Sequence, residues 1–181
     1  APFVIYLRLW HIPKGTLGLQ AARGVMLAIA TVCFFAALRH LPMAEAIAIY
    51  FAQPLILTLF SALFLGETIR ARRITAIIVG MIGTLVILQP SVMIFGAAAL
   101  LPLGSSLAMA IYMVLTRKIS GSVHPYQMQF VVGIAAVAVL GAVLFLGTFI
   151  GLPGTTIIMP TMQEFYWIIG MGLAATIGHA F

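Results

Sequence analysis

The 181-residue chain is 64% hydrophobic and only 7% charged, with nine Lys or Arg against three acidic residues and a formal net charge of +6. A soluble domain carries roughly 25% charged residues, so this chain lacks the side chains to cover a water-facing surface and reads as an all-α, polytopic integral membrane protein. Its single cysteine, Cys33, excludes a disulfide framework and a thiolate metal cluster, and its basic residues fall in short loops between apolar segments, which indicates membrane topology and not a nucleic-acid partner.

A spanning helix needs about 20 mostly apolar residues. Residues 1–10, "APFVIYLRLW", read as the tail of such a span. Complete helices are then expected over 17–38, 42–65, 74–88, 92–115 and 126–150. A last apolar segment, 165–181, runs to the chain end. That is five complete helices between two partial ones, the pattern of a piece of a longer protein or of a truncated gene product. Pro42 suits a first helical turn, with Glu45 just inside to meet the positive end of the helix dipole. "TMQE", Thr161 to Glu164, has the spacing of a capping box that opens the last segment. The loop "FIGLPGTTIIMP" carries Gly and Pro at turn spacing.

If every segment spans, Arg8, Lys14, Arg23, Arg70, Arg72, Arg73, Arg117 and Lys118 all fall on one side, and Arg39 alone on the other. The positive-inside rule makes the first side cytoplasmic and leaves the Gly- and Pro-bearing loop on the opposite face. The location that follows is multi-pass, in a bacterial inner (cell) membrane. Arg23 and Glu67 lie within snorkelling distance of the cytoplasmic interface, and Glu67 is placed to pair with Arg70 or Arg73. Tyr112, Tyr166 and Trp167 fall near segment ends, where aromatic residues form an interfacial belt.

Polar groups at mid-depth are the candidate functional residues. In the segment 42–65, which contains "EAIAIYFAQPLILTLFSALFL", the midpoint falls between Gln53 and Pro54. Pro54 has no N–H for the carbonyl of Tyr50, and Gln53 adds an amide in the same layer. Unmet polar groups in hydrocarbon cost several kcal/mol each, so both should face other helices or a wet cavity. Two explanations stand side by side: a packed proline kink with Gln53 bonded across a helix interface, or a substrate contact on a cavity-lining helix. On helical spacing Tyr50, Pro54 and Thr58 share one face. The fifth segment places Pro102, Gly104, Ser105 and Ser106 around its centre; such hydroxyls either bond back to their own backbone or line the same cavity. His179, well inside the last segment, is either a proton-coupling group or a hydrogen-bonded structural histidine. Small residues at Gly170-Ala174-Gly178 and Ala76-Gly80-Thr84 read as packing seams.

An intramembrane enzyme fits poorly. The three acidic residues, Glu45, Glu67 and Glu164, sit at segment ends, far apart in sequence. No phosphate loop or nucleotide motif is present. Ser105 or Ser106 with His179 is a conceivable serine–histidine pair, but "LGSSLA" lacks the glycine that follows the serine in rhomboid-type sites. No cofactor or metal is expected.

The stretch from Phe34 to Pro90 resembles the EamA-type repeat of the drug/metabolite transporter superfamily. The features that carry this are the "LPMAEA" opening with Glu45, the helix with the central Gln53-Pro54, the "FLGE" exit containing Gly66 and Glu67, and the following helix with Gly80 and Gly83 that ends at "LQP". "GSSLAMAIYMVLTRKIS" looks like the first helix of a second repeat. The resemblance implies ten helices in two inverted five-helix repeats around a central substrate pathway, working without nucleotide hydrolysis. Residues 1–90 would be most of the first repeat and 91–181 part of the second, together running from late in the second helix into the eighth. It implies a secondary transporter or exchanger of a small metabolite or drug-like solute, with proton or exchange coupling and Pro54 as a kink facing the pathway. A non-transporting membrane scaffold is the alternative. With few charges at mid-depth, a neutral, zwitterionic or aromatic solute is favoured over a polyanion. Whether the protein forms homodimers is not legible.

Overall fold

In a computed structural model of the chain, residues 14–66, 70–88, 96–151 and 159–178 are described. Seven α-helices occur among them: α1 (Leu17–Ala37), α2 (Met43–Tyr50), α3 (Gln53–Leu65), α4 (Ala71–Leu88), α5 (Leu100–Ile119), α6 (Pro125–Ile150) and α7 (Met162–Gly178). Short 3-10 turns, Lys14–Thr16 and Gly96–Ala99, lead into α1 and α5. Four stretches of described residues are long and apolar enough to cross a bilayer: Leu17–Ala37, Met43–Leu65, Gly96–Ile119 and Pro125–Ile150. The chain divides into two compact units, residues 1–141 and 142–181.

The expected single helix over 42–65 is two helices. Pro42 is the N-cap, in extended geometry, and not the first helical residue; Glu45 is the third residue of α2. At the far end of α2, Phe51 N–H donates to Ile47 O (3.0 Å), and Ala52 N–H tightens to Ile49 O (3.1 Å). A new helix then starts at Gln53, with Pro54 in its first turn. The cause is the proline. It offers no N–H to the Tyr50 carbonyl, and its ring crowds that oxygen, whereas the first turn of a new helix needs no such donor. The carbonyl of Ala52 starts that turn by accepting from Leu55 and Ile56 N–H, both at 3.1 Å. α3 ends on Gly66 in the left-handed region (φ 67°), its N–H bonded to Ser61 O. Glycine adopts that conformation without a Cβ clash.

The other elements hold with shifts at their ends. α4 begins three residues before the expected Ile74, taking Arg72 and Arg73, both good helix formers, into its first turn. α5 begins at Leu100, later than the expected 92, and places Pro102 in its first turn. Pro102 therefore interrupts nothing, and only the α2–α3 junction is a break at mid-depth among the described residues. The capping box at α7 forms on both sides. Glu164 Oε2 accepts from Thr161 N (2.7 Å) and Thr161 Oγ1 (2.8 Å), while Glu164 N–H reaches Thr161 Oγ1 at 3.4 Å.

The interior is built from small residues. Ala28, Ala30, Ala37, Ala46, Ala48, Ala108 and Ala110 are buried, while large apolar side chains such as Phe35, Leu63, Phe64, Val79 and Val137 point outward. That inversion suits a lipid solvent, in which close backbone approach holds helices together and large apolar groups lose nothing by facing out. α1 packs most extensively on α5. The pairing of Ala30 with Ser105 and of Arg23 with Thr116 makes the two helices antiparallel. α1 meets α6 at Gly24, where an added Cβ would collide with that of Ala135. A Cβ built at Gly80, Gly83 or Gly170 meets nothing within 4 Å. The tightest glycine approach among the described residues is at Gly24, which nothing in the sequence pattern singles out.

Candidate functional site

The break between α2 and α3 opens onto a cavity of about 490 Å³. Tyr50, Phe51, Gln53 and Pro54 form one wall; Ala30, Thr31 and Phe34 of α1, with Ser105 and Met109 of α5, face them. Tyr50, Gln53 and Pro54, at offsets of three and four residues, lie on one side of the junction and meet the same opening. Phe34 and Tyr50 meet edge to face with centroids 5.6 Å apart. Ser105 Oγ donates to Ala30 O at 2.7 Å, tying α5 to α1 at the cavity floor. Thr31 Oγ1 donates within its own helix to Leu27 O at 2.8 Å. Among the described residues, neither the Tyr50 hydroxyl nor the Gln53 amide has a hydrogen-bond partner, and none that lines the opening carries a charge.

Of the residues singled out from the sequence, Tyr50, Gln53, Pro54 and Ser105 come together here. Thr58 does not. It is buried one turn further along α3 and donates back to Pro54 O at 2.8 Å. Ser106 is buried on its own helix and donates to Leu103 O at 2.8 Å. The Glu45 carboxyl is half-buried, with Oε2 enclosed and unpartnered among the described residues. His179 and Glu67 lie outside the described residues.

A second polar site goes beyond the sequence expectations. Arg23 does not snorkel to an interface; it is 2% exposed. Its Nε donates to Thr116 Oγ1 at 2.9 Å, and its Nη2 to Tyr112 Oη at 3.4 Å. The guanidinium carbon stands 5.0 Å from the centre of the Tyr112 ring, so Tyr112 is an arginine partner. Gln20, one turn before Arg23, is fully buried and bonded to Thr16 Oγ1 at 3.0 Å. Near the same end of α5, Arg117 Nη1 donates to Ser61 Oγ of α3 at 3.1 Å. The signal available in the sequence is an arginine six residues inside an apolar segment with Gln20 three residues before it, on one helix face.

Apolar helices with outward-facing large side chains, small-residue packing and a cavity at a broken helix define a polytopic α-helical membrane protein. Residues 1–89 of the chain match the EamA-like transporter family. It is 32% identical over 160 residues to a pseudopaline exporter of Pseudomonas aeruginosa, an alignment that covers 88% of this chain and 54% of the exporter. Two riboflavin transporters are similar over shorter stretches. That of Vibrio cholerae is 34% identical over 87 residues, 48% of this chain and 29% of the transporter. That of Rhizobium johnstonii is 34% identical over 103 residues, 57% of this chain and 34% of the transporter. The chain thus spans about half the length, or less, of these relatives. All of them are named as exporters or transporters. No solved structure matches the chain significantly.

Proposed function

We propose that the full-length protein is a secondary transporter that moves a small metabolite or drug-like solute across a bacterial inner membrane. The solute binds near mid-membrane against Tyr50, Gln53, Pro54 and Ser105. The observation that carries this reading is the cavity at the α2–α3 break, where a tyrosine hydroxyl and a glutamine amide without partners among the described residues face a space of about 490 Å³. Polar groups in such a layer are expensive unless something meets them, and a passing solute can. The lining is aromatic and neutral-polar, which favours a neutral, zwitterionic or aromatic solute over a polyanion. In this reading residues 1–90 are most of one five-helix repeat and 91–181 part of an inverted second one, within a ten-helix bundle whose basic loops are cytoplasmic. Thr58 and Ser106 support the wall from behind. His179, if it couples protons, sets the pH dependence; solute exchange is the other coupling available.

The test uses proteoliposomes that hold the full-length protein, with riboflavin and pseudopaline, the solutes named for its relatives, as first probes. Losing one buried hydrogen bond costs about 1.4 kcal/mol, roughly tenfold in affinity. Gln53→Leu should therefore raise KM about tenfold for whichever probe is carried. Unchanged KM and rate in both Gln53→Leu and Pro54→Ala, at equal protein content, would return the junction to packing alone.

A further inference from the structure

Arg23 is a buried cation whose partners among the described residues are all neutral. Thr116 Oγ1, Tyr112 Oη and the Tyr112 ring occupy Nε, Nη2 and one face of the guanidinium. Nη1 is enclosed and has no partner among the described residues. A guanidinium keeps its charge at physiological pH, and a buried charge without a counter-charge is strongly destabilising. One turn away, the enclosed Gln20 Oε1 also lacks a partner among the described residues. One guanidinium nitrogen, Nη1, and one acceptor, Gln20 Oε1, are thus enclosed without partners among the described residues, three residues apart on α1. Thr116 cannot neutralise the cation, because its hydroxyl donates to Tyr112 O at 2.7 Å and offers Arg23 only a lone pair.

We infer that Arg23 and Gln20 form a binding site for the carboxylate of the transported solute: the guanidinium takes the carboxylate and Gln20 Oε1 takes an adjacent N–H or O–H donor. This deepens the transport reading and rests on it. A planar guanidinium matches a carboxylate in bidentate geometry better than any other side chain. The site lies seven residues along α1 from Ala30 in the cavity wall, about 10 Å at 1.5 Å per residue. The substrate class is therefore a monocarboxylate or zwitterion with a neighbouring hydroxyl or amine.

The test is the thermal stability of the full-length protein in detergent, with mandelate as the probe. Mandelate carries a carboxylate beside a hydroxyl; mandelamide keeps the hydroxyl and removes the charge. A ligand that binds only the folded protein raises Tm by mass action. Mandelate should raise Tm by several degrees in the native protein, mandelamide should not, and Arg23→Gln should abolish the shift. If Arg23→Gln does not accumulate, Arg23→Lys keeps the charge without the fork and should lose more than half of it. No shift with mandelate, or an equal shift in native protein and variant, overturns the assignment. A shift with inorganic phosphate but not mandelate overturns it in favour of a lipid headgroup. The readout is binding, so the Gln53 transport experiment can fail while this one succeeds, and the reverse.

Discussion

Gly24→Ala should destabilise the protein where the same change at Gly80 does not. The new Cβ would overlap that of Ala135 and stand 3.3 Å from the Ala135 Cα and carbonyl carbon. Carbon atoms are comfortable at about 3.5–4.0 Å. The obstruction is backbone and a Cβ, neither of which can rotate away, so α1 must retreat from α6. Overpacking of that kind typically costs about 1–3 kcal/mol. Helix propensity works the other way, favouring alanine over glycine by about 1 kcal/mol, so the net loss should be about 0–2 kcal/mol. The same substitution at Gly80 meets nothing within 4 Å and should be neutral or stabilising. The assay is the apparent Tm of each variant in one detergent, followed by the double variant Gly24→Ala with Ala135→Gly, which removes the colliding methyl. Recovery in the double variant beyond the sum of the single effects is the expected coupling. Gly24→Ala as stable as Gly80→Ala, with additive behaviour in the double variant, would refute the α1–α6 contact.

Three further outcomes are expected. Ser105→Ala removes the 2.7 Å bond to Ala30 O and should lower stability by about 0.5–1.5 kcal/mol, read as a fall in Tm. Gly66→Ala forces a Cβ into the left-handed region at φ 67°; the cost should be about 1–2 kcal/mol, seen as lower Tm or poorer accumulation. At the start of α7, the Thr161 backbone and hydroxyl bonds hold the Glu164 carboxyl below its ordinary value. A lowered carboxylate contributes stability above its unfolded value and loses it as pH falls through the folded one. The Tm gap between native protein and Thr161→Ala should accordingly be open at neutral pH and close on acidification. A gap independent of pH would remove the cap from the account.

Segment positions are legible in the sequence because bilayer thickness leaves little freedom: a run of about 20 apolar residues without charges has few alternatives to a spanning helix. The proline at the centre of 42–65 is legible as a break, since its missing donor is a property of the residue and needs no neighbours. What Pro54 does to the face is not. Periodicity puts Tyr50, Pro54 and Thr58 in one stripe, but the chain restarts at Gln53 and turns Thr58 back onto its own helix. Pro102 misleads for the complementary reason, because a proline is harmless wherever a helix begins, and the beginning of α5 is set by what lies before Leu100. A rule that counts charges and ignores depth makes Arg23 a loop cation. Only the fold reveals that Thr116 and Tyr112, some ninety residues later, lie against it.

Those two residues expose a pattern that spans both polar sites. Ser105, Met109, Tyr112 and Thr116 fall at successive spacings of four, three and four, one continuous stripe on α5. Ser105 and Met109 line the cavity, while Tyr112 and Thr116 hold Arg23. The next residue, Arg117, reaches Ser61 on α3. α5 also packs on both α2 and α3, the two halves of the broken helix. The break therefore has a continuous helix behind it, which keeps the two halves in register where the Pro54 gap in the hydrogen-bond ladder would otherwise let them drift. A helix in that position cannot itself be broken at mid-depth without releasing the cavity wall and the buried arginine together, and α5 runs uninterrupted from Leu100 to Ile119. Ser105, Tyr112 and Thr116 are thus arranged along one rigid face of a single helix.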